Sequence, residues 1–169
     1  MAAGEAWIPA YVGIGSNLDG PEARVRAAFA ALGALPETRL QARSSLYAGP
    51  PLDASDQPEY VNAVAGLLTR LAPEPLLAAL LAIEARAGRV REPALRWAPR
   101  TLDLDLLGYA ERRVHGPGLE VPHPGVATRN FVLLPLAEVA PGLWLPGVGP
   151  VAAAAQRLAA GPLRRLGNP

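Results

Sequence analysis

The sequence of 169 residues contains no lysine and no cysteine, and its aromatic residues are few: three Trp, four Tyr and two Phe. Each absence removes a class of chemistry. Without cysteine there is no disulfide, no thiolate metal site and no Cys nucleophile. Without lysine there is no P-loop lysine, no Schiff-base enzyme and no kinase-type phosphate lysine. All 16 basic residues are arginine, set against 15 acidic ones for a formal net charge of +1. So small a net charge argues against a general nucleic-acid coat, and whatever phosphate this protein handles falls to guanidinium groups. No run approaches the roughly 18 apolar residues of a membrane span. Residues 1–9 lack the basic start and long apolar core of a signal peptide. The expectation is a cytoplasmic monomer with small-molecule ligands and neither a membrane nor a nucleic acid as partner.

What is present is a chain that is 50% hydrophobic, with 17 glycines and 19 prolines. That composition can build a core, and the length suits a single domain over 1–169. Residues 7–14 alternate apolar and small side chains and run into Gly13-Ile-Gly-Ser-Asn17, which predicts a strand ending in a glycine-rich turn. Pro21 opens a helix with Val25, Ala28, Phe29 and Leu32 on one face, closed by Gly33 and Pro36. A second strand is predicted over 41–47, a loop over 48–58 and a third strand over 60–69. A helix over 73–87 follows, with Leu76, Leu77, Leu80 and Ile83 on its apolar face and Gly88 just past its end. Then come a charged loop over 89–99, a fourth strand over 102–109, a hairpin within 112–121, and helices over 130–138 and 151–160. The order βαββαβ with a C-terminal extension predicts an α+β, ferredoxin-like sandwich with an antiparallel sheet. Many activities share that fold, so function has to come from particular residues.

Four segments carry chemistry. In Thr101-Leu-Asp-Leu-Asp-Leu-Leu107, strand geometry puts Asp103 and Asp105 on one face with Cα atoms roughly 6.5–7 Å apart, and turns Leu102, Leu104 and Leu106 to the other. Such a pair suits two Mg²⁺ ions whose shells are completed by phosphate oxygens. Alone it also fits a solvated acidic strand face. Directly upstream, Arg89, Arg91, Arg96 and Arg100 share a loop with Trp97, an arrangement suited to phosphate or to a solvated charge run. Tyr60 and Asn62 lie on one strand face, so a ring can stack on the first while the amide of the second reads its edge. Gly49-Pro50-Pro51-Leu52 precedes them. Last, Val121-Pro-His-Pro124 is followed by Arg129 and Phe131. A palm-type nucleotidyl transferase would need a third carboxylate on a neighbouring strand, and none is evident. An RNA-binding sheet would want aromatics on its central strands, and none are paired there.

Together these segments resemble the 6-hydroxymethyl-7,8-dihydropterin pyrophosphokinases of folate biosynthesis. The resemblance rests on Gly13-Ile-Gly-Ser-Asn17, Ser44-Ser-Leu-Tyr47, Pro50-Pro-Leu52, Gln57-Pro-Glu-Tyr-Val-Asn62, Gly88-Arg-Val-Arg91, Arg96-Trp-Ala-Pro-Arg-Thr-Leu-Asp-Leu-Asp105 and Val121-Pro-His-Pro124 with Arg129 and Phe131. It implies transfer of pyrophosphate from ATP to a pterin hydroxymethyl group, with two Mg²⁺ ions on Asp103 and Asp105. It further implies that Arg89, Arg91, Arg96 and Arg100 neutralise phosphate, Arg89 and Arg91 acting catalytically, and that Trp97 closes over both substrates. Glu84, Leu106, Glu120, His123 and Arg129 would line the ATP site. The pterin would lie between Tyr60 and Phe131, its edge read by Asn62 and by Gly49, Pro50 and Leu52. The chain departs from some members at Gly118, where they carry arginine, at Glu120, where they carry threonine, and at Gly49, where threonine is frequent.

Overall fold

The computed structural model describes residues 6–52, 56–88, 102–159 and 161–168. Strands β1 (Ile8–Ser16), β4 (Tyr60–Thr69) and β5 (Asp103–Tyr109) form the centre of an antiparallel sheet, with β1 between the other two. Strands β2 (Thr38–Arg43) and β3 (Leu46–Gly49) lie end to end along the far side of β4. Outermost, beside β3, runs β10 (Arg164–Gly167). Two small hairpins, β6–β7 (Val114–Gly116 and Leu119–Val121) and β8–β9 (Trp144–Leu145 and Gly149–Pro150), stand apart from this sheet. No helix among the described residues is long and apolar enough to cross a membrane.

Helices cover both faces. Helix α1 (Pro21–Gly33) starts where Pro21 supplies a preset φ at its first position, with Glu22 in the first turn. Helix α2 (Pro73–Arg86) starts the same way, with Pro73 and Glu74, and places Arg86 in its last turn. Gly88 follows it at φ 86°, a left-handed conformation that glycine adopts without steric cost. Val25, Phe29 and Leu32 of α1 and Leu76, Leu80 and Ile83 of α2 pack on Val12, Ile14, Ala63, Leu67, Leu104 and Leu106. Period-2 alternation sends the intervening residues to the opposite face. There α3 (Asn130–Val139) and α4 (Val151–Arg157) bury Val132, Leu133, Leu136, Val151 and Ala154 against Val64 and Leu107. The extension therefore supplies a third layer, and the sheet is closed on two sides.

Several boundaries move. The second strand starts at Thr38 instead of 41 and divides: Ser44 and Ser45 interrupt it, and Ala48 and Gly49 belong to a strand where a loop is predicted. Ser44 makes the break itself, its amide donating to the Val64 carbonyl (3.0 Å) while its hydroxyl accepts the Val64 amide (2.8 Å). The first strand continues through Ser16, so Gly13 and Gly15 lie within it, and neither has a left-handed φ.

Candidate functional site

The third layer covers only part of its sheet face. α3 and α4 sit over Val64 and Leu107, and beyond them the face is small and polar. The register explains why. Asn62 on β4 is paired with Gly15 on β1, and Gly15 with Asp103 on β5. In the next row Val64, Gly13 and Asp105 align in the same way. The middle strand contributes no side chain in either row, so a trough runs from the amide to the carboxylates. Its width is two inter-strand spacings, about 10 Å. The glycines are present for this space and not for a turn. A Cβ on Gly15 would stand 3.0 Å from the Asn62 Oδ1, and one on Gly13 would stand 3.2 Å from Leu107.

The trough is the floor of a cavity. Tyr60 and Asn62 line one end together with Pro50, Pro51, Leu52 and Gln57; Asp103 and Asp105 line the other; Arg129 and Phe131 close it from the α3 side. Asn62 is buried, whereas Asp103 and Asp105 are half-buried and their neighbours Leu102, Leu104 and Leu106 are core. The alternation predicted for this strand is the one observed. The Gln57 side of the cavity wall is tied back to the end of β1 by buried Asn17, whose amide donates to Gln57 Oε1 and to the Pro58 carbonyl, both at 3.2 Å.

The remaining predicted residues fall in different places. Buried Glu84, on the last turns of α2, accepts the Leu104 amide at 2.7 Å, so it fixes the peptide between the two aspartates. The Leu106 side chain packs in the helix-side core. Gly49 ends β3 at the root of the cavity wall. Glu120 is exposed on β7. Arg89, Arg91, Arg96, Trp97 and Arg100 lie outside the described residues.

His123 stands beside Asp105, with Nε2 3.8 Å from the carboxylate. Its own amide donates to the Leu107 carbonyl (3.0 Å), which docks this segment on β5. The Gly125 amide donates to His123 Nδ1 at 3.0 Å. Since an amide can only donate, Nδ1 carries a lone pair, and the neutral ring holds its proton on Nε2. Burial pushes the His123 pKa below its ordinary value and the Arg129 guanidinium pushes the same way, while Asp103 and Glu120 oppose them.

Gly125 has a second role that the sequence did not signal. Its φ of −83° suits any residue, yet a Cβ there would lie 2.5 Å from Arg129 Cζ and Nε. The guanidinium rests directly on the Gly125 Cα, 6.0 Å from the centroid of the Phe131 ring. Pro-Gly after His123 reads as a turn, and only the position of Arg129 reveals the glycine as a seat for a cation. Gly15 was hidden in the same way, behind the appearance of a turn.

Two carboxylates of alternating strand position, turned into a half-buried cavity, are hard oxygen donors of the kind Mg²⁺ takes. Among the described residues no group of three His, Asp or Glu is placed to hold a metal ion by itself. That fits Mg²⁺, which draws most of its ligands from phosphate and water.

Residues 11–141 match the family described as 7,8-dihydro-6-hydroxymethylpterin-pyrophosphokinase (HPPK). The chain is 54% identical to a 2-amino-4-hydroxy-6-hydroxymethyldihydropteridine pyrophosphokinase of Pseudomonas aeruginosa, over 80% of this chain and 83% of that protein. It is 45% identical to the enzyme of the same name from Haemophilus influenzae, over 82% of this chain and 86% of that one. In three dimensions it resembles an HPPK-DHPS protein crystallised with substrates, at a TM-score of 0.75 and 10% identity, a likeness of fold. That match covers 95% of this chain and 46% of the longer protein. With the match spanning most of its length, the chain belongs to the 7,8-dihydro-6-hydroxymethylpterin-pyrophosphokinase family.

Proposed function

We propose that this cavity is where the chain performs its family's reaction, transfer of pyrophosphate from ATP to the hydroxymethyl group of 6-hydroxymethyl-7,8-dihydropterin, with AMP as the other product. The observation that carries the reading is the trough: one cavity joins an amide-and-aromatic end to a two-carboxylate end across side-chain-free backbone. The pterin ring lies between Tyr60 and Phe131, and the Asn62 amide, which both donates and accepts, pairs with its amide-like edge. Backbone groups of Gly49, Pro50 and Leu52 complete that edge. Asp103 and Asp105 hold two Mg²⁺ ions. Mg²⁺ bound there supplies charge neutralisation along the triphosphate and lowers the pKa of the attacking hydroxyl.

Arg129 pairs with phosphate oxygens through its planar guanidinium. His123, protonated at Nε2, donates to phosphate and cannot act as the base, because its other nitrogen is occupied. Arg89, Arg91, Arg96 and Arg100 neutralise phosphate from the preceding loop, Arg89 and Arg91 being the catalytic pair, and Trp97 covers the substrates. Glu84 acts on the nucleotide side by holding β5. Leu106, its side chain committed to the core, meets adenine through its backbone, and Glu120 stands at the nucleotide's outer edge. The hydroxymethyl oxygen attacks the β-phosphorus, the bond from that phosphorus to the α,β-bridging oxygen breaks, and the hydroxyl proton passes to solvent. Catalysis then rests on position and electrostatics, as phosphoryl transfer generally does. A single cytoplasmic domain acting as a monomer suffices for it.

Incubated with ATP and Mg²⁺, the protein should form AMP only when 6-hydroxymethyl-7,8-dihydropterin is also present, one AMP for each pterin diphosphate. ADP as the nucleotide product would overturn the assignment. A finer test concerns Gly125. Gly125→Ala displaces a flexible guanidinium and no backbone, so it should leave Tm unchanged while raising the KM for ATP about tenfold. The same substitution in an Arg129→Ala background should have little further effect, since the group nearest the new methyl is gone.

A further inference from the structure

We infer that the C-terminal strand, with Leu163 just before it, is a positioning element of the pterin pocket that clamps both roots of the loop between β3 and β4. This rests on the reading of Gly49 to Leu52 as the wall that meets the pterin edge. The segment lies beyond residues 11–141, the part that matches the family.

The clamp has three points of contact. β10 pairs with β3, Arg164 opposite Ala48 and Arg165 opposite Tyr47. Leu163 occupies the space where a side chain at position 49 would stand: a Cβ on Gly49 would be 2.9 Å from Leu163 Cδ1. That is the point at which the loop leaves the sheet. Where the loop returns, Arg164 Nη2 meets Glu59 Oε1 at 2.7 Å, one residue before Tyr60. One short strand thus touches the chain immediately before Pro50 and immediately before Tyr60, both of which line the cavity.

Behind these contacts lies a polar anchor. Arg165 Nε donates to Ser45 Oγ at 2.8 Å and its Nη2 lies 3.8 Å from Glu138 Oε2. Glu138, on α3, accepts the Ser45 amide at 2.9 Å and the Tyr47 hydroxyl. β3 is only four residues long. Held by β4 alone on one side, so short a strand opens readily, and an outer neighbour suppresses that opening. Loss of register by a fraction of an ångström at Gly49 moves the backbone that reads the pterin, while the nucleotide end on β5, with β4 and β1 in between, is untouched. The effect belongs to one substrate.

The test uses the full-length protein and steady-state kinetics for both substrates. Leu163→Ala should raise the KM for the pterin about tenfold and leave the KM for ATP and kcat within about twofold. Gly49→Ala should do likewise, through collision with Leu163. Gly49→Ala combined with Leu163→Ala should recover most of the pterin affinity, because the new methyl fills the space that the leucine vacates. An equal rise in both KM values, parallel to a fall in Tm, would mean general destabilisation and would overturn the clamp. So would an unchanged pterin KM in both single variants while Asn62→Ala raises it, a result that would leave the site itself standing. If Asn62→Ala also has no effect, the pterin reading and the clamp fall together.

Discussion

Asp103→Ala and Asp105→Ala should each lower the rate of AMP formation about a thousandfold or more, with the fold intact. Both carboxylates stand on the open face of β5, and the Asp105 side chain is 37% exposed. Their removal therefore opens no cavity in the core, which is built from Leu102, Leu104 and Leu106 on the other side. It relieves repulsion between two like charges on one strand face but also removes the carboxylate beside His123, so Tm should change little. The cost falls on the reaction alone. On the proposed mechanism several negative phosphate oxygens approach these residues, and without the cations the carboxylates would hold, the developing charge at the bridging oxygen meets no compensation. Losses of several kcal/mol in the barrier are usual for removal of such stabilisation, and about 4 kcal/mol is a thousandfold. Chromatographic measurement of AMP at saturating ATP, pterin and Mg²⁺ decides it. Activity within tenfold of the parent in either variant would remove the aspartates from the mechanism.

The second large effect belongs to Asn62. Asn62→Ala should raise the KM for the pterin about a hundredfold while the KM for ATP stays near its parent value. The amide is buried, at 8% exposure, and stands directly against Gly15. A pterin edge brought here loses water and must find its partners in the protein. With alanine it finds none, and each unmet polar group costs about 1–3 kcal/mol. Two such groups reach about 2.7 kcal/mol, a hundredfold in affinity. A site built to pair with polar edges discriminates strongly for this reason. Titration of the pterin into the variant, followed by fluorescence, gives the affinity directly. A change below threefold would mean that the ring binds without Asn62.

Much of this was legible in the residues. The β4 boundaries follow from its alternation, and the Asp-Leu-Asp-Leu pattern of β5 assigns faces without any tertiary information. What escaped has physical reasons. Arg164-Arg-Leu-Gly167 shows no apolar alternation, and it is a strand only because β3 offers an unpaired edge beside it. Ser44 and Ser45 are compatible with a continuous strand, and the break depends on the Ser44 hydroxyl taking the place of a ladder carbonyl, which only the neighbouring Val64 reveals. Gly13, Gly15 and Gly125 defeat local reading most completely. Glycine announces conformational freedom in a sequence, whereas here its value is the volume it leaves to Asn62, Leu107 and Arg129, residues assigned by pairing and packing.

The backbone floor of the trough bears on escape from inhibitors. An inhibitor that lies flat across Gly13 and Gly15 contacts main-chain atoms that no substitution can delete. Resistance would have to add atoms to the floor, and the smallest addition at Gly15 already presses on the Asn62 amide proposed to pair with the pterin, at 3.0 Å from its oxygen. A variant that expels such a compound expels the pterin with it. Compounds that reach instead toward exposed Leu52 contact a side chain that a substitution can remove, and they leave that route open.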